Sequence, residues 1–196
     1  MSRLKELIKE LCPNGVEYKS IEDLCDISKG RIISKEYIRD NMGVYPVYSS
    51  QTENDGELEK ISTYDFDGEY LTWIISGVNA GSVFYRNGKF SITNACGLLK
   101  ITSSNIITKF LYHVLLAEVT KCVGVGAPDQ KLTSSAMAKI KIPVPPMKVQ
   151  EEIVRILDPF IELSELLVEE LSKRRQQYEY YRDKLLSFKE FESTPC

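Results

Sequence analysis

The spacing of apolar positions changes twice along the chain. Residues 1–11 put Leu4, Leu7, Ile8 and Leu11 on one face of a short helix, and Pro13-Asn14-Gly15 stops it. From residue 16 to 145 the pattern breaks into short runs bounded by Gly, Asn, Asp or Pro. Val44–Tyr48, Tyr70–Ile75, Ser82–Arg86, Gly97–Ile101 and Lys139–Val144 read as strands. Asn87-Gly88, between Arg86 and Lys89, predicts a two-residue hairpin turn, because Asn-Gly accommodates the positive φ values of that turn. Ser104-Asn105 predicts the cap of a helix carrying Ile107, Phe110, Leu111, Val114 and Leu115. Residues 124–136, with Gly124, Gly126 and Pro128, read as a loop.

The third pattern begins after Pro143, Pro145 and Pro146, which hold the backbone extended. A helix starts at Met147, and Pro159 predicts a break or kink near Asp158. The helix beyond it, Phe160 to Phe188, would be roughly 40 Å long at 1.5 Å per residue. Phe160, Leu167, Leu171, Tyr178, Tyr181, Leu185 and Phe188 fall on one stripe with alternating steps of three and four, with Ser164 and Arg174 as its polar members. Either the globule or another helix must cover that stripe. Its length and its place near the C-terminus favour another helix, which makes these seven residues the candidate dimer interface. The fold class expected is α+β: a mixed α/β globule over 1–146, a long coiled-coil-forming helix over 147–188, and a tail over 189–196.

Charge changes the picture of the globule. The chain as a whole carries a formal charge of −3. Residues 53–69 hold Glu53, Asp55, Glu57, Glu59, Asp65, Asp67 and Glu69 against Lys60, whereas residues 70–141 hold eight Lys or Arg against Glu118 and Asp129. A basic sector inside an acidic chain can still hold phosphates, since screening makes the local field count for more than the total.

Catalytic chemistry is hard to find. There is one histidine, His113, set among apolar residues on a helical pattern, where a structural role is the simpler reading. No Walker loop is present, and Pro145-Pro146 lacks the flanking residues of a methyltransferase motif. Pro128-Asp129 has no following acid-x-Lys to complete a nuclease site. The five cysteines are widely spaced and match no zinc site, so they read as reduced thiols. The acidic segment 53–69 reads as a solvated loop. No catalytic residue, metal or cofactor is therefore expected. The hydrophobic content of 43% permits a core, and no apolar run suits a membrane span or signal peptide, so a cytoplasmic location is expected.

Two blocks carry a family resemblance. Gly-Ala-Pro-Asp-Gln-Lys-Leu from Gly126 is followed by Ile140-Lys141-Ile142-Pro143-Val144-Pro145-Pro146, then Gln150, Ile153 and Ile156. This resembles the junction between a target recognition domain and a spacer helix in specificity subunits of type I restriction–modification systems. Glu10-Leu11-Cys12-Pro13-Asn14-Gly15-Val16-Glu17-Tyr18 is similar to the start of such subunits, and Tyr64–Tyr70 and Gly81–Tyr85 are similar to recognition-domain segments. Val149-Gln150 stands where the family commonly has Glu-Gln.

The resemblance implies a non-catalytic subunit that reads double-stranded DNA and recruits methyltransferase (M) subunits and, through them, restriction (R) subunits. Complete subunits have two recognition domains and two helices; this chain has one of each. It therefore resembles a half-subunit, whose homodimer would read a bipartite, palindromic target. Phosphate contacts are expected from Lys29, Arg31, Lys35, Arg86, Lys89 and Lys131. Base contacts are expected from Ser49, Ser50, Gln51, Thr52, Asn79, Thr93, Asn94 and Gln130, with Lys131 beside them. A coiled-coil module that binds methyltransferase subunits without reading DNA remains the alternative.

Overall fold

A computed structural model describes residues 2–122 and 130–187. It divides into two compact units, Met1–Val154 and Arg155–Cys196. The first opens with α1 (Ser2–Leu11), in line with its apolar spacing. Gly15, at φ +91°, turns the chain back after the helix, and its N–H donates to the Cys12 carbonyl at 3.1 Å. Strands β1 (Glu17–Ser20) and β2 (Cys25–Lys29) follow, then helix α2 (Lys35–Asp40) and strand β3 (Met42–Tyr48). Next come β4 (Glu57–Ile61), β5 (Phe66–Ile74), β6 (Val83–Ile92) and β7 (Cys96–Ile101). Helices α3 (Thr108–Cys122) and α4 (Ser134–Ala138) lead to β8 (Lys141–Val144) and α5 (Met147–Leu186).

Six strands form one sheet in the order β2-β7-β5-β6-β3-β4, antiparallel except for the β3–β6 pair. Strands β1 and β8 pair separately, Glu17 opposite Val144. The main core lies between the sheet and α3. Leu71, Trp73 and Ile74 on β5 are fully buried, because β5 lies inside the sheet and both its faces are covered. The Trp73 indole N–H donates to the Leu132 carbonyl at 2.8 Å, which removes the cost of burying it. Gly97, opposite Trp73, leaves room for the ring: a Cβ there would lie 2.1 Å from it.

Asn87-Gly88 is not a turn. Both residues lie inside β6, opposite Glu69 and Gly68, and the actual β5–β6 connection is 75–82. Phe90 sits beside Phe66 and Cys96 beside Ile74. The six steps from Phe90 to Cys96 reach at most about 21 Å. A straight β5 would hold Phe66 and Ile74 about 26 Å apart. The β5–β6 pair must therefore bend, and the cross-strand glycines Gly68 (φ +125°) and Gly88 (φ +98°) are where the backbone has that freedom. The positive φ that Asn-Gly signals is present, but it serves a fold in the ribbon. The bend brings Phe90 and Ile92 against Cys96 and Leu98 in a second, smaller core.

Three other expectations need correction. Helix α3 begins at Thr108, not at Ser104-Asn105. Its first turn is held by Gln150 instead: the Gln150 Oε1 accepts the Ile107 N–H at 2.9 Å, while its amide donates to the carbonyls of Asn105 (2.7 Å) and Pro145 (2.8 Å). The side chain is fully buried and joins three segments. Within the expected loop 124–136, Thr133 caps α4 by accepting the Ala136 N–H at 3.2 Å; Gly124, Gly126 and Pro128 lie outside the described residues. Finally, α5 is one continuous helix through Pro159, without the break expected near Asp158. Proline removes one helical N–H donor and crowds the carbonyl four residues earlier, yet the helix extends from Met147 to Leu186 with Pro159 inside it. The division between the two units falls at Val154, within α5, so its first two turns lie in the first unit.

Candidate nucleic-acid interface

Five segments that are distant in sequence meet around Thr93. Its N–H donates to the Tyr48 carbonyl at 2.9 Å, and its hydroxyl lies 3.0 Å from that of Ser49. Arg31 pairs with Thr93 in a parallel bridge, and the Gly30 N–H donates to the Cys96 carbonyl at 3.2 Å. Gly30 permits this approach, since a Cβ there would lie 2.3 Å from the carbonyl oxygens of Ile92 and Thr93. The Ile75 N–H donates to the Ala95 carbonyl at 3.0 Å, which brings in the 75–82 connection. There the Gly77 N–H donates to the Gln130 carbonyl at 3.1 Å, Ser76 bridges Lys131, and the Asn79 amide reaches the Ser50 carbonyl at 3.4 Å.

Nine of the residues expected from sequence to contact DNA belong to this group. Lys29, Arg31, Ser50, Asn94 and Lys131 are exposed; Ser49, Asn79 and Gln130 are partly so. Thr93 is buried, so it braces the loops from beneath. Short polar side chains on loops tied by backbone bonds, with cations at the edge, suit base edges and phosphates respectively.

The remaining candidates have other surroundings. The Gln51 amide donates to the Glu57 carbonyl, and exposed Thr52 precedes the tight turn 53–56. Lys35 opens α2 and is exposed. Lys89 stands at the bend opposite Asp67, with its ammonium 4.6 Å from the Tyr64 ring centre. A hydrogen bond with Tyr64 holds its pKa above the usual lysine value.

Arg86 does not fit the phosphate role expected of it. It is 3% exposed, and its guanidinium is paired with Asp55 and lies 3.6 Å from the Tyr48 ring centre. The alternating pattern of β6 turns this side chain inward. Arg31 also has a carboxylate partner: its Nε lies 2.9 Å from Asp65, and its guanidinium 4.8 Å from the Tyr37 ring centre. A DNA phosphate would have to compete with Asp65 for it.

The acidic segment 53–69 is thus partly neutralised within the fold. Asp55 meets Arg86, Asp65 meets Arg31, and Glu69 accepts from the hydroxyls of Tyr85 (2.6 Å) and Thr108 (2.8 Å). Charge counting missed Tyr37 and Asp65 as partners of Arg31, since they lie 6 and 34 residues away from it in sequence. Among the described residues no cluster of three or more His, Cys, Asp or Glu could hold a metal ion.

The second unit carries the stripe. Phe160 (64%), Leu171 (70%) and Leu185 (71%) are strongly exposed, as are Leu167, Tyr178 and Tyr181. Phe188 lies outside the described residues. Ser164, on the same stripe, donates its hydroxyl to the Phe160 carbonyl at 2.7 Å, and Arg174 pairs with Glu170 at 2.6 Å. No helix among the described residues is long and apolar enough to cross a membrane.

Comparison with known proteins bears on both units. The type I restriction modification DNA specificity domain matches residues 13–173. The type I specificity subunit S.MpnORF201P of Mycoplasma pneumoniae is 46% identical over 190 residues, covering 94% of this chain and 79% of that protein. S.MpnORF507P of the same organism is 48% identical over 167 residues, covering 85% of this chain and 46% of that protein. The crystal structure of the S subunit from M. genitalium superposes with a TM-score of 0.68 at 21% identity, over 90% of this chain and 48% of that one. The chain thus spans about half the length of S.MpnORF507P and of the M. genitalium subunit. With the domain match spanning most of its length, the chain belongs to the type I restriction–modification DNA specificity family.

Proposed function

We propose that the chain is the DNA-reading, non-catalytic component of a type I restriction–modification complex. The observation that carries this reading is the convergence of five segments around Thr93, which joins Ser49, Arg31, the 75–82 connection and the Gln130–Lys131 segment. Ser50, Asn79, Asn94 and Gln130 are the base-contacting candidates in this reading, with Ser49, Gln51 and Thr52 beside them. Lys29, Lys35, Lys89 and Lys131 are the phosphate candidates, with Arg31 held back by Asp65.

The exposed stripe on α5 supports a homodimer. Two copies pairing these helices antiparallel would present two recognition globules related by a two-fold axis. Their target would be a palindrome with a gap. The methyltransferase subunits would then dock against the paired helices.

Salt-dependent DNA affinity tests the reading. The full chain, alone and mixed with type I methyltransferase subunits, should prefer a defined sequence. Its affinity should fall about 10³-fold or more between 50 and 200 mM salt. Binding to methyltransferase subunits without any sequence preference would make the chain a coiled-coil interaction module instead.

A further inference from the structure

Arg86 and Asp55 have no place in the surface described above, yet together they shape the segment that follows β3. That segment is a closed loop: the Ser49 N–H donates to the Gly56 carbonyl at 3.0 Å, and the Gln51 amide to the Glu57 carbonyl. To close, it curls through two consecutive non-glycine residues in the left-handed region, Asn54 (φ 49°) and Asp55 (φ 53°), and then Gly56 (φ +79°). Asn and Asp enter that region more readily than other side chains, but two in succession need support.

Arg86 supplies the support from inside. Its Nη2 donates to the Asp55 backbone carbonyl at 2.6 Å, and its Nη1 to the Asp55 carboxylate. The guanidinium carbon also lies 3.6 Å from the Tyr48 ring centre and 4.6 Å from that of Phe84, and these contacts restrict its movement. A Cβ on Gly56 would come within 3.3 Å of Nη2, which leaves little room for another turn geometry. Lysine is a point charge on a flexible stem without the planar fork, so it would not hold the two oxygens of Asp55 in the same fixed geometry.

We infer that Arg86, acting through Asp55, is a positioning residue that sets how Ser50, Gln51 and Thr52 are presented to DNA bases. The pair governs which bases are read, not how tightly DNA is held. This inference rests on the DNA-reading function proposed above. Arg86 is too buried to touch a phosphate, and Asp55 already balances its charge. Disrupting the pair therefore leaves the phosphate contacts, which dominate non-specific affinity, in place.

The test is selection from a random duplex DNA library by the full chain mixed with type I methyltransferase subunits. Wild type is compared with Asp55→Asn, Arg86→Lys, and Asp55→Asn combined with Ser50→Ala, Gln51→Ala and Thr52→Ala. Asp55→Asn removes the charge partner of the buried Arg86 guanidinium at nearly constant shape, so it tests the pair even where Arg86→Lys fails to fold. The expected result is an altered motif, with discrimination reduced about tenfold at one or two positions. Affinity for non-specific duplex should not fall, and its salt slope should stay at the wild-type value. Asp55→Asn should add nothing once the three loop side chains are gone. Selection of the wild-type motif by Asp55→Asn overturns the inference, as does a uniform loss of affinity for all duplexes. So does an Asp55→Asn effect that adds in full to the three alanine changes. A wild-type chain that selects no motif overturns the DNA-reading function itself, and the inference with it, and that outcome is visible before any variant is compared.

Discussion

The two units of this chain use the same side chains in opposite ways. In the first, Trp73, Leu71, Leu111 and Leu115 are fully buried or nearly so and pack against one another. In the second, Phe160, Leu167, Leu171 and Leu185 leave more than half of their surface exposed. Covering a Leu or Phe is worth about 1.5–3 kcal/mol. The first unit obtains that stabilisation from its own chain, and the stripe on α5 gains it only when another surface covers it. The same composition thus gives a self-sufficient core in one place and an interface in the other.

The contrast can be broken from either side. The largest effect is expected in the globule: Trp73→Ala should cost about 3–5 kcal/mol, read from chemical denaturation. It leaves a cavity and strands the Leu132 carbonyl that accepts from the indole. Next comes Leu171→Glu or Tyr181→Glu, which would bury an unpaired charge in the proposed helix pair at a cost of several kcal/mol. Light scattering across protein concentration should then show monomer, while the melting of the globule is unchanged. A stable dimer in both variants would put the interface elsewhere.

Gln150→Ala should be milder, about 1–3 kcal/mol, because it leaves the Ile107 N–H and the carbonyls of Asn105 and Pro145 without their partner. Its signature is faster amide exchange in the first turn of α3. The smallest effect concerns thiols. Burial pushes Cys25 up to about 12 and Cys96 up to about 11, from an ordinary value of 9.0. The unfolded chain loses these protons first, so this contribution to stability is intact below pH 9.0 and fades as pH climbs towards 12. At neutral pH an alkylating reagent should label exposed Cys122 and spare Cys25 and Cys96 until the protein unfolds.

Periodic features were legible in the sequence. The spacing of Leu4, Leu7, Ile8 and Leu11 matches α1, and the heptad-like stripe matches exposed positions on α5. Polar strands were not legible: half of β1 and three of the five residues of β4 are Glu or Lys, and β1 finds its partner only in β8, far along the chain. The Asn87-Gly88 signal reported a local φ preference correctly, but two different structures use that preference. For the candidate interface, residue types and loop positions could be read, while partners could not. Arg86 looks like a surface cation until Asp55, Tyr48 and Phe84 are seen around it. Gln150 stood out as part of the junction block, and its threefold bonding supplies a physical reason for glutamine at that position.

The small β1–β8 sheet has a consequence for how the chain acquires its structure. Glu17 waits for Val144, and Ile21 donates its N–H to the Ile140 carbonyl at 3.0 Å, so the start of the globule closes on its end. A ribosome delivers Val144 long after Glu17, and ring closure over such a stretch loses entropy before any contact repays it. The central β5–β6–β7 ribbon, made of neighbouring segments, can assemble first. The β1–β8 pair then acts as a late clasp, and the base of α5, three residues beyond β8, is seated as that clasp shuts.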